Sequence, residues 1–196
     1  MKLIENATAE KLRGGFYTPD AIAAFILKWG INGSRDYDIL EPSCGDGVFL
    51  EQLKYNNHQF KSVTAVEFDH KEAKKANKIQ LNDKTVINTD FHLYCNETTK
   101  RFDLVIGNPP YIRFQYFDSE QQKEAAKIFS KAGLKYSKLS NAWVSFVVGS
   151  SLLLKEDGKI GFVIPAELLQ VSYAQQLREF LAKFYNKINI ISFEKL

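Results

Sequence analysis

Short apolar runs alternate with longer amphipathic stretches along all 196 residues. That alternation restricts the fold more than any other feature of the chain. Segments at about 37–41, 62–67, 85–88, 102–106, 159–164 and 187–193 read as strands. Helical patterns lie between them. The first opens at Thr18-Pro19-Asp20, with Thr18 as N-cap and Pro19 at the first helical position, and runs through Ile22, Phe25, Ile26 and Trp29. Others carry Val48 to Leu53, a lysine-rich stretch from about Lys71, a run from a Ser119-Glu120-Gln121-Gln122 capping box to about Phe129, Asn141 to Leu154, and about Tyr173 to Phe184. Strands separated by helices make βαβ units. The expected fold is α/β, a doubly wound and mostly parallel sheet with helices on both faces, in one domain spanning 1–196.

With 45% hydrophobic residues, a chain of this length can bury a real core. Cys44 and Cys95 have no metal-ligand spacing, which fits a reduced, cytoplasmic protein. Met1-Lys2-Leu3-Ile4 runs straight into polar residues, so no signal peptide is expected. No stretch of about 18 apolar residues occurs, so no membrane span is expected. His58, His70 and His92 are scattered, read as surface residues, and form no metal set.

Ligands in open α/β sheets bind at the carboxyl ends of the strands, and those ends carry the informative residues. Glu41-Pro42-Ser43-Cys44-Gly45-Asp46-Gly47 follows the first strand, and its glycines let a ligand approach a helix N-terminus. A dinucleotide fingerprint would place a third glycine where Leu50 stands. Glu67 ends the second strand, placed to accept hydrogen bonds from a ribose diol, and Phe68 follows it, placed to lie on a base. Asp90 and Phe91 follow the third strand; the acid suits an adenine amino group or, equally, a turn cap. These groups outline a nucleoside pocket with no lysine motif for a triphosphate.

Asn108-Pro109-Pro110-Tyr111 closes the fourth strand. An exocyclic amine on a base is a poor nucleophile because its lone pair is delocalised into the ring. Two acceptors, one for each N–H, localise that pair. The Asn108 side-chain carbonyl supplies one and a backbone carbonyl in the proline-fixed turn, that of Pro109, the other. Tyr111 offers a face for stacking. Beyond it, residues 111–140 hold six basic and three acidic side chains, leaving 20 against 20 in the rest of the chain. Arg113, then Lys123, Lys127, Lys131 and Lys135 at intervals of four, suit either a nucleic-acid backbone or a solvated helix face.

Taken together, these motifs resemble the S-adenosylmethionine-dependent N6-adenine DNA methyltransferases of bacterial restriction–modification systems. The matching segments are Gly15-Phe16-Tyr17-Thr18-Pro19, Glu41 to Leu50, Ala65-Val66-Glu67-Phe68-Asp69, Asn108 to Arg113 and Gly158 to Pro165. The resemblance implies a Rossmann-like class I methyltransferase domain with S-adenosylmethionine as cofactor. Thr18 and the Glu41 to Gly45 loop, with Ser43 and Cys44, would hold its methionine end, Glu67 its ribose, and Asp90 with Phe68 and Phe91 its adenine; Tyr17, Gly47 and Asn108 would also touch the cofactor. Asn108 and Pro109 would bind the target amino group, Pro110 would line the methyl donor, and Tyr111 would stack on a flipped adenine of double-stranded DNA. Family members continue into a seventh, antiparallel strand and a target-recognition domain, expected here downstream of residue 196. A restriction endonuclease or a separate specificity region is the expected partner. A methyltransferase acting on protein glutamine or ribosomal RNA, or a cofactor-binding fragment that needs its recognition domain, is the alternative.

Overall fold

The computed structural model describes residues 18–32 and 36–192. Its elements in chain order are α1 (Asp20–Gly30), β1 (Asp38–Glu41), α2 (Val48–Tyr55), β2 (Ser62–Glu67), α3 (His70–Lys78), β3 (Lys84–Asn88), α4 (Phe91–Glu97), β4 (Phe102–Gly107), α5 (Ser119–Lys131), α6 (Ala142–Leu152), β5 (Leu154–Phe162) and α7 (Gln175–Phe184). The strands form one parallel sheet in the order β3-β2-β1-β4-β5. Strand order reverses between β1 and β4, so their carboxyl ends make the crevice where such sheets take ligands.

The two-residue period of the strands divides the core. Ile39, Leu104 and Ile106 pack on one face with Ile22, Phe49 and Leu53, from α1 and α2. Leu40 and Val105 pack on the other with Phe91, Ile128, Trp143 and Leu177, from α4 to α7. At the amino ends of the strands, Lys155 donates to Asp38 (2.7 Å) and to Asp103 (2.8 Å), and the Asp38 N–H donates to Asp103 (2.9 Å). This charged knot fixes β1, β4 and β5 together at the edge opposite the crevice.

Four local expectations are corrected. Helix α1 starts at Asp20 with Pro19 as its cap, and buried Thr18 lies before it. The capping box of α5 sits one residue earlier than expected. Asp118 accepts the Gln121 N–H (2.8 Å) while the Gln121 side chain accepts the Asp118 N–H (3.2 Å). A carboxylate complements the helix dipole better than the Ser119 hydroxyl does. Strand β5 begins at Leu154, with its pairing to β4 shifted between Phe102 and Leu104 around Glu156-Asp157-Gly158. No strand forms over 187–192, where Ile188, Ile190 and Ile191 are each about half exposed. These isoleucines join neither half of the core, so no buried face anchors the segment against the open edge of β5. No helix among the described residues is long and apolar enough to cross a membrane.

Candidate functional site

The loop from β1 to α2 is laced to the end of β2. The Cys44 N–H donates to the Val66 carbonyl (3.0 Å) and the Gly45 N–H to Glu67 Oε2 (2.9 Å). Glu67 Oε1 accepts the Asp69 N–H (2.7 Å). Both carboxylate oxygens are therefore oriented by backbone donors, and each keeps acceptor capacity for a hydroxyl. Burial pushes the Glu67 carboxyl above its ordinary range, and those two N–H groups oppose the shift. Phe68, next along, is 64% exposed. The Asn88 side-chain amide donates to the carbonyls of Glu67 (2.8 Å) and Phe68 (3.0 Å) and so fixes the turn that presents them.

The two loop glycines differ in what they permit. Gly45 (φ +54°) faces open space: a Cβ there would meet nothing within 4 Å. Gly47 (φ +104°) caps α2 where a Cβ would strike Ile79 and come within 3.3 Å of the Ala76 backbone. Cys44 is buried, and burial raises its thiol far above the ordinary value, so it is an inert packing residue.

Glu41 ends β1 beneath this loop and is 1% exposed. Its Oε2 has no hydrogen-bond partner among the described residues. Burial first, then the charges of Glu67 and Asp46, push its carboxyl well above 4.5. The folded chain therefore keeps a proton that the unfolded chain has lost, and Glu41 costs stability increasingly as pH rises above about 4.5. Glu41→Gln is expected to stabilise the ligand-free protein by on the order of 1 kcal/mol at pH 8 and to change nothing at pH 4. Thermal melts at the two pH values check this.

Asn108 follows β4, next to β1 across the switch point. The Ser43 hydroxyl donates to the Asn108 backbone carbonyl (3.3 Å), tying the loop after β1 to the loop after β4. Pro109 is buried and Pro110 half-buried. The Tyr111 hydroxyl sits where the sequence anticipates an incoming N–H. It contacts Asn108 Oδ1 (2.5 Å) and the Val163 carbonyl (3.1 Å). Three residues along a proline-stiffened turn, the phenol reaches back to its own loop's acceptor. Burial raises its pKa, so it remains a donor. Its hydroxyl occupies the acceptor that a target amine would use.

Asp90 caps α4: its Oδ1 accepts the N–H groups of His92 (2.8 Å) and Leu93 (3.2 Å). Phe91 is 2% exposed and packs on Phe146, with ring centroids 4.7 Å apart. It is a core residue, and of the two aromatics expected beside a base only Phe68 is open to one. His92, expected at the surface, is fully buried.

The four-lysine stripe is corrected. Lys123, Lys127 and Lys131 lie on α5, but the helix stops at Lys131 before Gly133, and Lys135 lies beyond it with its N–H on Gln176 (3.0 Å). Lys127 pairs with Glu124, and Lys131 donates to Asn96 (2.8 Å) at the far end of α4. Helix α5 therefore descends away from the crevice. Exposed Arg113, in a bridge to Asn141, stays beside the Asn108–Tyr111 loop. Tyr17 lies outside the described residues. No group of three or more His, Cys, Asp or Glu among the described residues could hold a metal.

Sequence reading missed the Val163 carbonyl, Gln121 and Phe146. Gln121 donates to Asp90 Oδ2 (3.2 Å), and an Asp118-x-x-Gln121 box was there to be read. Phe146 carried no periodic signal, because α6 is buried on every side.

Comparisons with known proteins give a family and a fold. A family model described as Eco57I restriction-modification methylase matches residues 21–196. The Type II methyltransferase M.BanIII of Aneurinibacillus aneurinilyticus is 30% identical over 95% of this chain and 36% of its own length. M.HincII of Haemophilus influenzae is 32% identical over 93% of this chain and 32% of its own length. The chain thus spans about a third of these relatives. A class I S-adenosylmethionine-dependent methyltransferase structure from Listeria monocytogenes (lmo1582) superposes with a TM-score of 0.72 at 21% identity, covering 91% of this chain and 54% of that one, and shows the shared fold.

Proposed function

This chain belongs to the Eco57I restriction-modification methylase family, and from that premise we propose that its crevice methylates the N6 amino group of an adenine flipped out of double-stranded DNA. S-adenosylmethionine is the cofactor of the fold and the family. The residues present fit it. Glu41 Oε2 is a buried acceptor without a partner among the described residues, Gly45 borders open space, and Glu67 and Asp46 add negative charge at the same loop. Such a site suits a cationic ligand carrying a diol and a flat base. Bound there, S-adenosylmethionine supplies a methyl group on a positively charged sulfur.

The chain's own residues do the rest. Glu67 takes the ribose diol, with its carboxylate already oriented by the Gly45 and Asp69 N–H groups. Phe68 offers its exposed ring to the cofactor base. Asn108 Oδ1 and the Pro109 carbonyl accept the two N–H groups of the target amine and draw its lone pair toward the methyl donor. Tyr111 first has to surrender its place on Asn108 Oδ1, which frees the ring to lie against the target base. Arg113, two residues beyond this loop, and Lys123, in the first half of α5, would meet the DNA backbone. A restriction endonuclease and a specificity region are the partners that go with this reading.

The observation that carries the proposal is the Asn108-Pro109-Pro110-Tyr111 loop at the β1/β4 switch point, hydrogen-bonded to the β1 loop through Ser43. Calorimetric titration with S-adenosylmethionine, and separately with NAD, tests the pocket. Micromolar binding of the first alone is expected; binding of NAD alone would refute the reading. In the same assay Glu67→Ala is expected to weaken S-adenosylmethionine by about 2 kcal/mol, roughly 30-fold, the scale of lost charge-assisted hydrogen bonds. Unchanged affinity would place the cofactor elsewhere.

A further inference from the structure

A buried hydrogen-bond chain ends on Asp90. His92 is 0% exposed and wedged edge-on between Phe117 (5.7 Å between centroids) and Phe146 (5.1 Å). Its Nδ1 lies 3.1 Å from Asp90 Oδ1 and its Nε2 lies 2.7 Å from Ser145 Oγ. The Ser145 hydroxyl is in turn 2.8 Å from the Ala142 carbonyl.

Counting protons orients the chain. Ser145 has one hydrogen. If it goes to the Ala142 carbonyl, His92 must donate from Nε2; if it goes to Nε2, the ring's hydrogen is on Nδ1. Asp90 is held ionised: burial raises its carboxyl, but the hydrogen bonds from His92, the Leu93 N–H and Gln121 outweigh it and keep the group below the usual range. An ionised carboxylate only accepts, so Nδ1 carries a hydrogen in both arrangements and donates it to Oδ1.

The two oxygens of Asp90 are thereby made unequal. Oδ1 takes three donors: the His92 N–H, the Leu93 N–H and His92 Nδ1. Oδ2 takes one, the Gln121 side-chain amide at 3.2 Å. Only Oδ2 keeps acceptor capacity for a ligand. We propose that His92 is a positioning residue for cofactor recognition: it locks Asp90 with Oδ2 presented to the exocyclic amino group of the cofactor's base, and so makes the site select a 6-amino over a 6-oxo purine. The proposal rests on the reading in which Asp90 receives the cofactor adenine.

The test compares the affinities of S-adenosylhomocysteine and S-inosylhomocysteine, which differ by amino against oxo at C6 and, with it, by an acceptor against an N–H at N1. The wild-type chain is expected to prefer the amino compound by about tenfold or more, the scale of one charge-assisted hydrogen bond. His92→Phe keeps a ring in the aromatic cluster and loses both nitrogens. It is expected to cut the preference to about threefold or less while leaving S-inosylhomocysteine affinity nearly unchanged. Should that variant fail to fold, Ser145→Ala removes only the far end of the chain and is expected to shrink the preference in the same direction. A merely structural histidine would weaken both ligands together, and a preference left intact in the folded variant overturns the proposal alone. No preference in the wild-type chain overturns the Asp90 reading and the proposal with it.

Discussion

Asn108→Ala is expected to abolish methyl transfer, by about a thousandfold or more, while leaving S-adenosylmethionine affinity within a few-fold of wild type. The size follows from what the side chain does. In the proposed reaction its Oδ1 would make its decisive contact where charge develops on the amine, and removing one preorganised partner of that kind costs about 10²–10³ in rate. Misplacement of the amine adds to that loss, because the remaining Pro109 carbonyl cannot hold the nitrogen alone. Cofactor affinity survives because most groups assigned to the cofactor lie outside this loop, before α1 and in the loops after β1, β2 and β3, and Pro110 is untouched. The Ser43 contact to this loop uses the backbone carbonyl of Asn108, which alanine keeps. Single-turnover rates and calorimetry on one variant separate the two quantities. A mutant that methylates normally would remove Asn108 from the chemistry.

Gly47→Ala is expected to be the most damaging single-methyl substitution in the site, and its damage falls on the fold. A non-glycine residue at φ +104° carries about 1–3 kcal/mol of backbone strain. The added carbon also crowds Ile79 and the Ala76 backbone on α3. Ile79 can turn away, whereas the Ala76 backbone cannot. The combined loss is about 3 kcal/mol, a large share of a domain's stability. Gly45→Ala provides the contrast. At φ +54° alanine costs about 1 kcal/mol and meets no atom, so the protein folds, but its methyl group stands in the space assigned to the cofactor. Denaturant melts should rank the two one way and cofactor titration the other. Equal stability of both variants would contradict the packing described for Gly47.

The contrast between these glycines marks how far the sequence could be read. The alternation of strands and helices was legible, because Ile39/Leu40 and Leu104/Val105 alternate between two buried faces. The loops carrying Glu41, Glu67 and Asn108 were legible because each ends a run of apolar residues. That Gly47 is packed and Gly45 open was not, since it depends on where α3 comes to lie. Tyr111 was read as a stacking face, yet its hydroxyl rests on Asn108; a side chain's resting partner is a tertiary fact with no sequence signal. His92 looked like a surface residue for the same reason: its partners Asp90 and Ser145 are far apart in the chain, and α6 shows no periodicity to mark Ser145 as inward. The lysine stripe is cut where the sequence marks it, at Gly133, so α5 carries Lys123, Lys127 and Lys131 and leaves Lys135 beyond its end. The strand expected over 187–193 is absent from 187–192, because its isoleucines join neither half of the core and alternation alone could not show that.

The proposed function turns on which atom receives the methyl group. Incubating the chain with methyl-labelled S-adenosylmethionine and duplex DNA, then digesting the DNA to nucleosides, reads that atom directly. The expected result is label in N6-methyldeoxyadenosine, lost in Asn108→Ala. Label in a methylated cytosine, or in RNA or protein offered in the same assay while DNA stays unlabelled, would contradict it.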